Sequence, residues 1–453
     1  MTMRQMRLVM YKMAGPAGHL WQHPGEQNRF LDPDHWDTVA RLLEGAKFDA
    51  IFLADSQVFY DDDTIRGGGE LYLLDPVPLA MSIARATKRL GIGVTVSTSF
   101  VEPYGVARQL GTIDLLSGGR IAWNVVTSTI DKAAKCYGME KLLGREERYD
   151  RAEEVLEAAA QLWDSFGRDA LIVDKKNGVY IDPTKLREFD FIGQHVKTRG
   201  PLTTPPSAQG RPVIIQAGAS ERGRDFAGRW AEMIFASGTD LSSLQEFYAD
   251  VKRRAASYGR PANDCAVLSG LRVTVGETEA IAREKHRYCQ DLMSDDVAIG
   301  ITSKHIGIDL STFDKHCPMP EFDSEVGSRG IYQTLLKLGR EEGLTLVEVA
   351  RRYAGFGSGS GATGSPHQVA DHMQNIFESY GSDGFMLNFG GGPGGVDDFC
   401  RLVVPILQER GLFRTEYPGT TLRETLGLRP WPIYPPKRPD TVTGASEKAL
   451  AKA

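Results

Sequence analysis

Short apolar runs of strand length alternate with longer amphipathic stretches along almost the whole of this 453-residue chain. The runs are RLVMYKM (7–13), DAIFLAD (49–55), LGIGVTVSTS (90–99), RIAWNVVTS (120–128), RPVIIQAGAS (211–220), MIFAS (233–237), CAVLSGLRVTVG (265–276) and SDGFMLNFG (382–390). Stretches of helical periodicity follow at 34–48, 75–89, 104–119, 147–166, 222–232, 241–259, 277–293 and 396–411, with another at 365–381. Asp34 reads as the N-cap of the first, and Ser365 caps the helix at 365–381 with Pro366 at its first position. Repeated strand–helix units require a parallel sheet covered by helices. Eight of them predict a closed (β/α)8 TIM barrel, with a doubly wound open sheet as the rival.

The length leaves room for two long insertions. Residues 167–211 are polar, proline-bearing and irregular, and residues 294–362 hold helical pieces of their own. Residues 1–430 are expected to form a single barrel domain. The segment after 412 reads as an extended C-terminal arm, ending in a flexible tail at 431–453 that is rich in proline and charge.

Several function classes are disfavoured. A net charge of -6 leaves no basic footprint for nucleic acid or an anionic membrane. The five cysteines (Cys136, Cys265, Cys289, Cys317, Cys400) are scattered without a Cys-x-x-Cys pair, which points to free thiols and a cytoplasmic location. The N-terminus lacks a signal-like apolar stretch, and no run approaches the roughly 18 apolar residues of a membrane span. Nine histidines without His-x-His or His-Glu-x-x-His spacing predict no metal. GSGATG (359–364) has the letters of a dinucleotide fingerprint, but a helical stretch precedes it. The glycine-rich run 355–364 therefore reads as a flexible lid or a phosphate-adjacent loop.

A barrel carries its site at the carboxyl ends of its strands. Those ends leave Asp55; Ser97, Thr98 and Ser99; Asn124, Thr127 and Ser128; Gln216, Gly218 and Ser220; and Asn388. Mostly neutral donors and acceptors with one carboxylate suit a ligand with a heterocycle and a phosphate better than a metal. Each has a plainer reading: strand ends are polar because loops begin there, Asp55 and Ser220 could cap helices, and Tyr149 could be a core aromatic.

The motifs FDAIFLAD, LGIGVTVSTSFVEPYGVARQLGTIDLLSGGRIAWNVVTS, ERYDRAEE, PVIIQAGASERGRDFAG and GLFRTEYPGTTLRE together resemble the bacterial luciferase-like flavin monooxygenases. The branch resembled is that of nitrilotriacetate, dibenzothiophene sulfone and long-chain alkane monooxygenases, over about residues 5–430. The resemblance implies a (β/α)8 barrel that takes reduced FMN from a separate NAD(P)H:flavin reductase. It implies O2 as co-substrate and oxygenation of a small organic molecule (organosulfur, heteroaromatic, amine or alkane) through a flavin hydroperoxide. It places Asp55 at the flavin, Thr98 beside the isoalloxazine, and Asn124 and Ser128 with them. Tyr149 then meets the polar tail, and Gly218, Ala219 and Ser220 the phosphate. Relatives carry a histidine four residues before that tyrosine; here Arg145 stands there, either pairing with the phosphate or pointing to solvent. His19 and His305 are the candidate acid–base residues near the mouth, with a structural role as the alternative. Met386, Phe389 and QVFYDDD lean toward an apolar or heteroaromatic substrate, and no arginine cluster awaits a polyacid. The other functions left open are a flavin-binding barrel without oxygenase turnover and a flavin-dependent reductase or dehydrogenase. A barrel of this size with a proline-rich arm is expected to form a homo-oligomer, a dimer or tetramer.

Overall fold

The computed structural model describes residues 4–430, apart from 60, 61, 219, 237, 239, 323–328 and 357–359. The expected tail at 431–453 and the candidate Ala219 lie outside the described residues.

Eight strands form the barrel: β1 (Arg7–Met13), β2 (Ala50–Ala54), β3 (Gly91–Ser97), β4 (Ile121–Val126), β5 (Val213–Gln216), β6 (Met233–Ala236), β7 (Ala266–Val275) and β8 (Gly384–Phe389). Each pairs in parallel with its neighbours, and β8 pairs back onto β1, so the sheet is closed. The outer ring contains α1 (Pro33–Gly45), α2 (Pro76–Ala86), α3 (Pro103–Ser117), α4 (Arg145–Trp163), α5 (Glu221–Trp230), α6 (Leu241–Ser257) and α7 (Glu279–Asp291). The insertion helices are α8 (Asp295–Ile306), α9 (Arg329–Glu342) and α10 (Leu346–Phe356), and α11 (Pro366–Glu378) precedes β8.

Strand alternation sorts the apolar residues into two cores. Val9, Phe52, Ala122, Ile215, Met233, Leu268 and Met386 fill the lumen. Leu8, Ile51, Leu53, Ile92, Val94, Trp123 and Leu387 face outward beneath the helices. Pro33 takes the first position of α1, so the cap falls on Asp32, whose carboxylate accepts from Asp34 N at 2.9 Å; Asp34, the expected cap, lies inside the first turn.

The first insertion is more regular than its composition suggests. It forms two antiparallel hairpins, Leu171–Asp174 with Val179–Ile181 and Phe189–Ile192 with Lys197–Gly200. In the second insertion α8, α9 and α10 enclose a separate hydrophobic cluster that includes Val297, Ile301, Leu335, Leu346, Val349 and Tyr353. Ser360–Gly364, expected within a flexible loop, is a strand pairing with Leu271–Val275. β7 outlasts β6, whose pairing stops at Ser269, and the glycine-rich strand takes the edge left free above it. The segment after 412, as far as residue 430, folds across the N-terminal end of the barrel rather than extending from it: Leu422, Leu426 and Leu428 join the lumen cluster.

Candidate active site

The polar residues foreseen at the strand ends stand on the C-terminal rim. Three strands are stitched together at one level. Thr95 Oγ1 donates to Leu53 O at 2.9 Å and receives Asn124 Nδ2 at 3.0 Å, joining β2, β3 and β4. Asn124 is 3% exposed, and its Oδ1 has no hydrogen-bond partner. A buried amide normally satisfies both ends, so this acceptor is what the strand offers to the mouth. Just above, the Ser97 and Ser128 hydroxyls meet at 2.8 Å, and Ser128 holds the left-handed conformation with φ 53°. Thr98 Oγ1 donates to Val126 O at 3.1 Å and Ser99 Oγ to Thr127 O at 2.6 Å. These hydroxyls bind the exits of β3 and β4 to one another.

Asp55 follows β2. Burial first, and Asp75 next, push its carboxyl up to about 6, while Gln57 Nε2 donates to Oδ2 at 3.3 Å. The rim thus carries an acid that exchanges its proton close to neutrality.

A second polar group lies where β5 leads into α5. Ser220 caps α5, its Oγ accepting from Gly223 N at 3.1 Å. The backbone is crowded here. A Cβ on Gly218 would come 2.3 Å from Gln216 Nε2, and one on Gly223 would come 2.9 Å from Tyr149 Oη. A side chain at either position would have to push Gln216 or Tyr149 aside, so glycine permits this close approach of turn, helix and phenol. Tyr149 is held by Phe226, edge to face at 5.6 Å, and by the Arg222 guanidinium over its ring at 5.5 Å. Gln216 Oε1 is buried without a partner. The structure therefore brings Tyr149, Gly218 and Ser220 together at a helix N-terminus, a geometry suited to an anion. Arg145, the first residue of α4, is exposed. The partly buried arginine of that turn is Arg148, which donates to Leu143 O.

The two histidines differ. His19, in the 3-10 turn Gly18–Gln22 after β1, is 6% exposed with Nε2 unpartnered. Burial, and then Arg272, push its pKa down to about 3, so it is a neutral hydrogen-bonding group at ordinary pH. His305, on α8, uses both ring nitrogens: Nε2 meets Glu70 Oε2 at 3.0 Å and Nδ1 meets Tyr353 Oη at 2.7 Å. Glu70 also accepts from Lys304 Nζ at 2.5 Å. Burial would raise Glu70, but the charges and hydrogen bonds of His305 and Lys304 hold it well below the usual carboxylate range. His305 thus ties the Glu70 loop to the insertion helices.

Sequence reasoning missed Thr95, Glu70, Lys304, Tyr353 and Arg272. Only Arg272 left a signal, a charge inside the apolar run LSGLRVTVG. Among the described residues no three His, Cys, Asp or Glu side chains are grouped to hold a metal. No helix among them is long and apolar enough to cross a membrane.

The chain as a whole has known relatives. A sequence profile described as luciferase-like monooxygenase matches residues 16–384. Dibenzothiophene-sulfone monooxygenase of Rhodococcus erythropolis (strain XP) is 39% identical over 94% of this chain and 97% of its own length. Nitrilotriacetate monooxygenase component A of Aminobacter aminovorans is 36% identical over 94% of this chain and 97% of its own. A riboflavin lyase crystallised with modified FMN and riboflavin superposes with a TM-score of 0.84 at 32% identity, covering 94% of this chain and 96% of that one. The chain belongs to the luciferase-like monooxygenase family and is a flavin-dependent monooxygenase.

Proposed function

We propose that this chain is the oxygenating component of a two-component system. It takes reduced FMN from a separate NAD(P)H:flavin reductase and uses O2 to oxygenate a small organic substrate. The observation that carries the reading is the junction of Tyr149 Oη, Gly218 and the Ser220-capped N-terminus of α5, beside two buried amide oxygens without partners. The component name borne by the nitrilotriacetate relative supports the two-part arrangement.

The residues fit a mononucleotide. Tyr149, Gly218, Ser220 and the α5 dipole would hold the phosphate. Asn124 Oδ1 and Gln216 Oε1 would accept from ring or ribityl donors, with Asp55, Thr98 and Ser128 alongside. Reduced flavin, when bound, supplies the electrons that activate O2. The chain's own part is to orient, to exclude water and to manage protons. Phe52, Met386 and the rest of the lumen cluster close off the space below the rim. His19, neutral at working pH, can donate or accept at Nε2 without adding charge. The Asp55 carboxyl is placed to hold or release a proton near pH 6. In assembly we propose a homo-oligomer, with Leu171, Ile172, Tyr180 and Ile192 of the first insertion as exposed apolar surface available to a second copy.

The test supplies reduced FMN anaerobically, admits O2, and screens sulfones, heteroaromatics, amines and alkanes with a generic flavin reductase present. The reading predicts retention of reduced FMN, a product carrying one oxygen atom from O2, and no NADH oxidation by the chain alone. Rapid NADH oxidation without the reductase, or no retention of reduced FMN, overturns it.

A further inference from the structure

Buried arginines in this protein have defined partners. Arg120 donates to the Ser117, Leu90 and Ala84 carbonyls, and Arg260 to those of Gly228, Ala231 and Asp264. Arg414 pairs with Asp49 at 2.6 Å and Arg423 with Glu232 at 2.6 Å. An orphan guanidinium nitrogen is not unusual in itself, since Arg414 and Arg423 each have one, but those two are anchored by carboxylates. Partly buried Arg272 lacks such an anchor: its Nε is buried without a partner, and its NH1 reaches only Ala354 O at 3.5 Å. Among the described residues no carboxylate lies within ion-pair distance of it.

Its direction follows from β7. Leu271, Val273 and Val275 face the outer core, whereas Leu268 fills the lumen, so alternation turns Arg272 into the barrel. It stands in register with Asn388 on β8, near the top of both strands. Gly390 leaves room for it: a Cβ there would lie 2.9 Å from Arg272 Nε. His19 lies close enough for the guanidinium to depress it, and it brings no compensating charge. Of the groups whose fields reach Arg272, Cys289 is a thiol that burial pushes up, and Glu70 is engaged by Lys304 and His305. Burial pushes the guanidinium down to about 10, so it remains a cation at neutral pH. A charge placed in such surroundings without a counter-charge is destabilising unless a ligand supplies one.

We propose that Arg272 forms an anion subsite in the barrel mouth, and that the substrate is a small organic monoanion carrying a carboxylate, sulfonate or sulfinate. This rests on the flavin-monooxygenase reading above and adds a charged group to the apolar or heteroaromatic substrate that the sequence leans toward. One unpaired guanidinium suits one anionic group and presents it as a fork. The flavin phosphate is the other possible source of that anion, but the Ser220 turn already offers a cradle for it.

The experiment measures binding to the full FMN-loaded chain by calorimetry. The probes are benzoate and benzenesulfonate against their neutral counterparts, benzamide and benzenesulfonamide. The proposal predicts at least a tenfold preference for the anions, lost in Arg272→Met, partly kept in Arg272→Lys, with FMN affinity unchanged. A wild-type chain without that preference, or an Arg272→Met chain that keeps it, overturns the proposal. So does an Arg272→Met chain that loses affinity for FMN but not for riboflavin, because the anion is then the flavin phosphate. Should the variants not fold, phenylglyoxal labelling of the wild-type chain with peptide mapping decides. Benzoate must shield Arg272 where benzamide does not, and equal labelling overturns the proposal. Oxygen consumption with reduced FMN is scored separately, so anion preference without oxygenation removes the functional reading and leaves the subsite standing.

Discussion

The two ends of the barrel handle their buried polar groups in opposite ways. At the floor, among the described residues, the buried acids are engaged by the chain's own donors, Asp49 and Glu232 by arginines. Asp49 receives Arg414 and Leu8 N, Glu232 receives Arg423 and Ile214 N, and Asp114 receives Gln209 and Ile121 N. At the mouth Asn124 Oδ1, Gln216 Oε1, His19 Nε2 and Arg272 Nε are buried without partners. Both ends belong to the same eight strands, so the contrast does not come from the sheet. We read it as one end built to stay closed and the other offering its orphan groups to a ligand.

Removing a partner at the floor should break the contrast most severely. Asp49→Ala leaves Arg414 buried and uncompensated, and urea unfolding should show a loss of about 3–5 kcal/mol. At the mouth the cost should appear in binding. Tyr149→Phe removes a hydroxyl from the proposed phosphate cradle and should weaken reduced FMN by about 10–100-fold, the worth of a hydrogen bond to a charged group. Riboflavin, which lacks the phosphate, should be nearly unaffected, and anaerobic fluorescence titration separates the two. Asn124→Leu should weaken FMN and riboflavin alike by about fivefold, with stability changed by less than about 1 kcal/mol.

The smallest effect concerns Asp55. Its folded pKa, about 6, lies above that of the unfolded chain, so between the two values the folded state holds more protons and stability falls as pH rises. Asp55→Asn should therefore be more stable than the parent by about 1 kcal/mol at pH 8, with no gain at pH 3.5. Thermal unfolding across that range checks the sign.

Much of this was legible because its causes are local. Short apolar runs of strand length between helical ones predict the barrel, and Asn124 stands out as an amide inside an apolar strand. Ser220 and Tyr149 sit in motifs whose spacing survives folding. Other features depend on partners far away in the chain. The strand Ser360–Gly364 has a single β-branched residue, Thr363, among glycines, serine and alanine, and pairs along the edge that β7 offers it. The first hairpin of 167–211 faces solvent and lacks the alternation that marks a half-buried strand, whereas the second alternates, with Phe189 and Phe191 against the core, over only four residues per strand. His305 reads as a free histidine until Glu70, 235 residues away in sequence, meets its Nε2. Arg145 occupies the place of the family's histidine but projects to solvent, which its position in the motif does not reveal.

The central claim is that the unsatisfied groups of the mouth await reduced flavin, and hydrogen–deuterium exchange on the whole chain, with and without reduced FMN under anaerobic conditions, tests it directly. The account predicts slowed exchange in the turn 216–223 and at the end of β4, with the floor around Asp49, Gly119 and Leu422 unchanged. Slowing confined to the floor, or no slowing at either end, would contradict it.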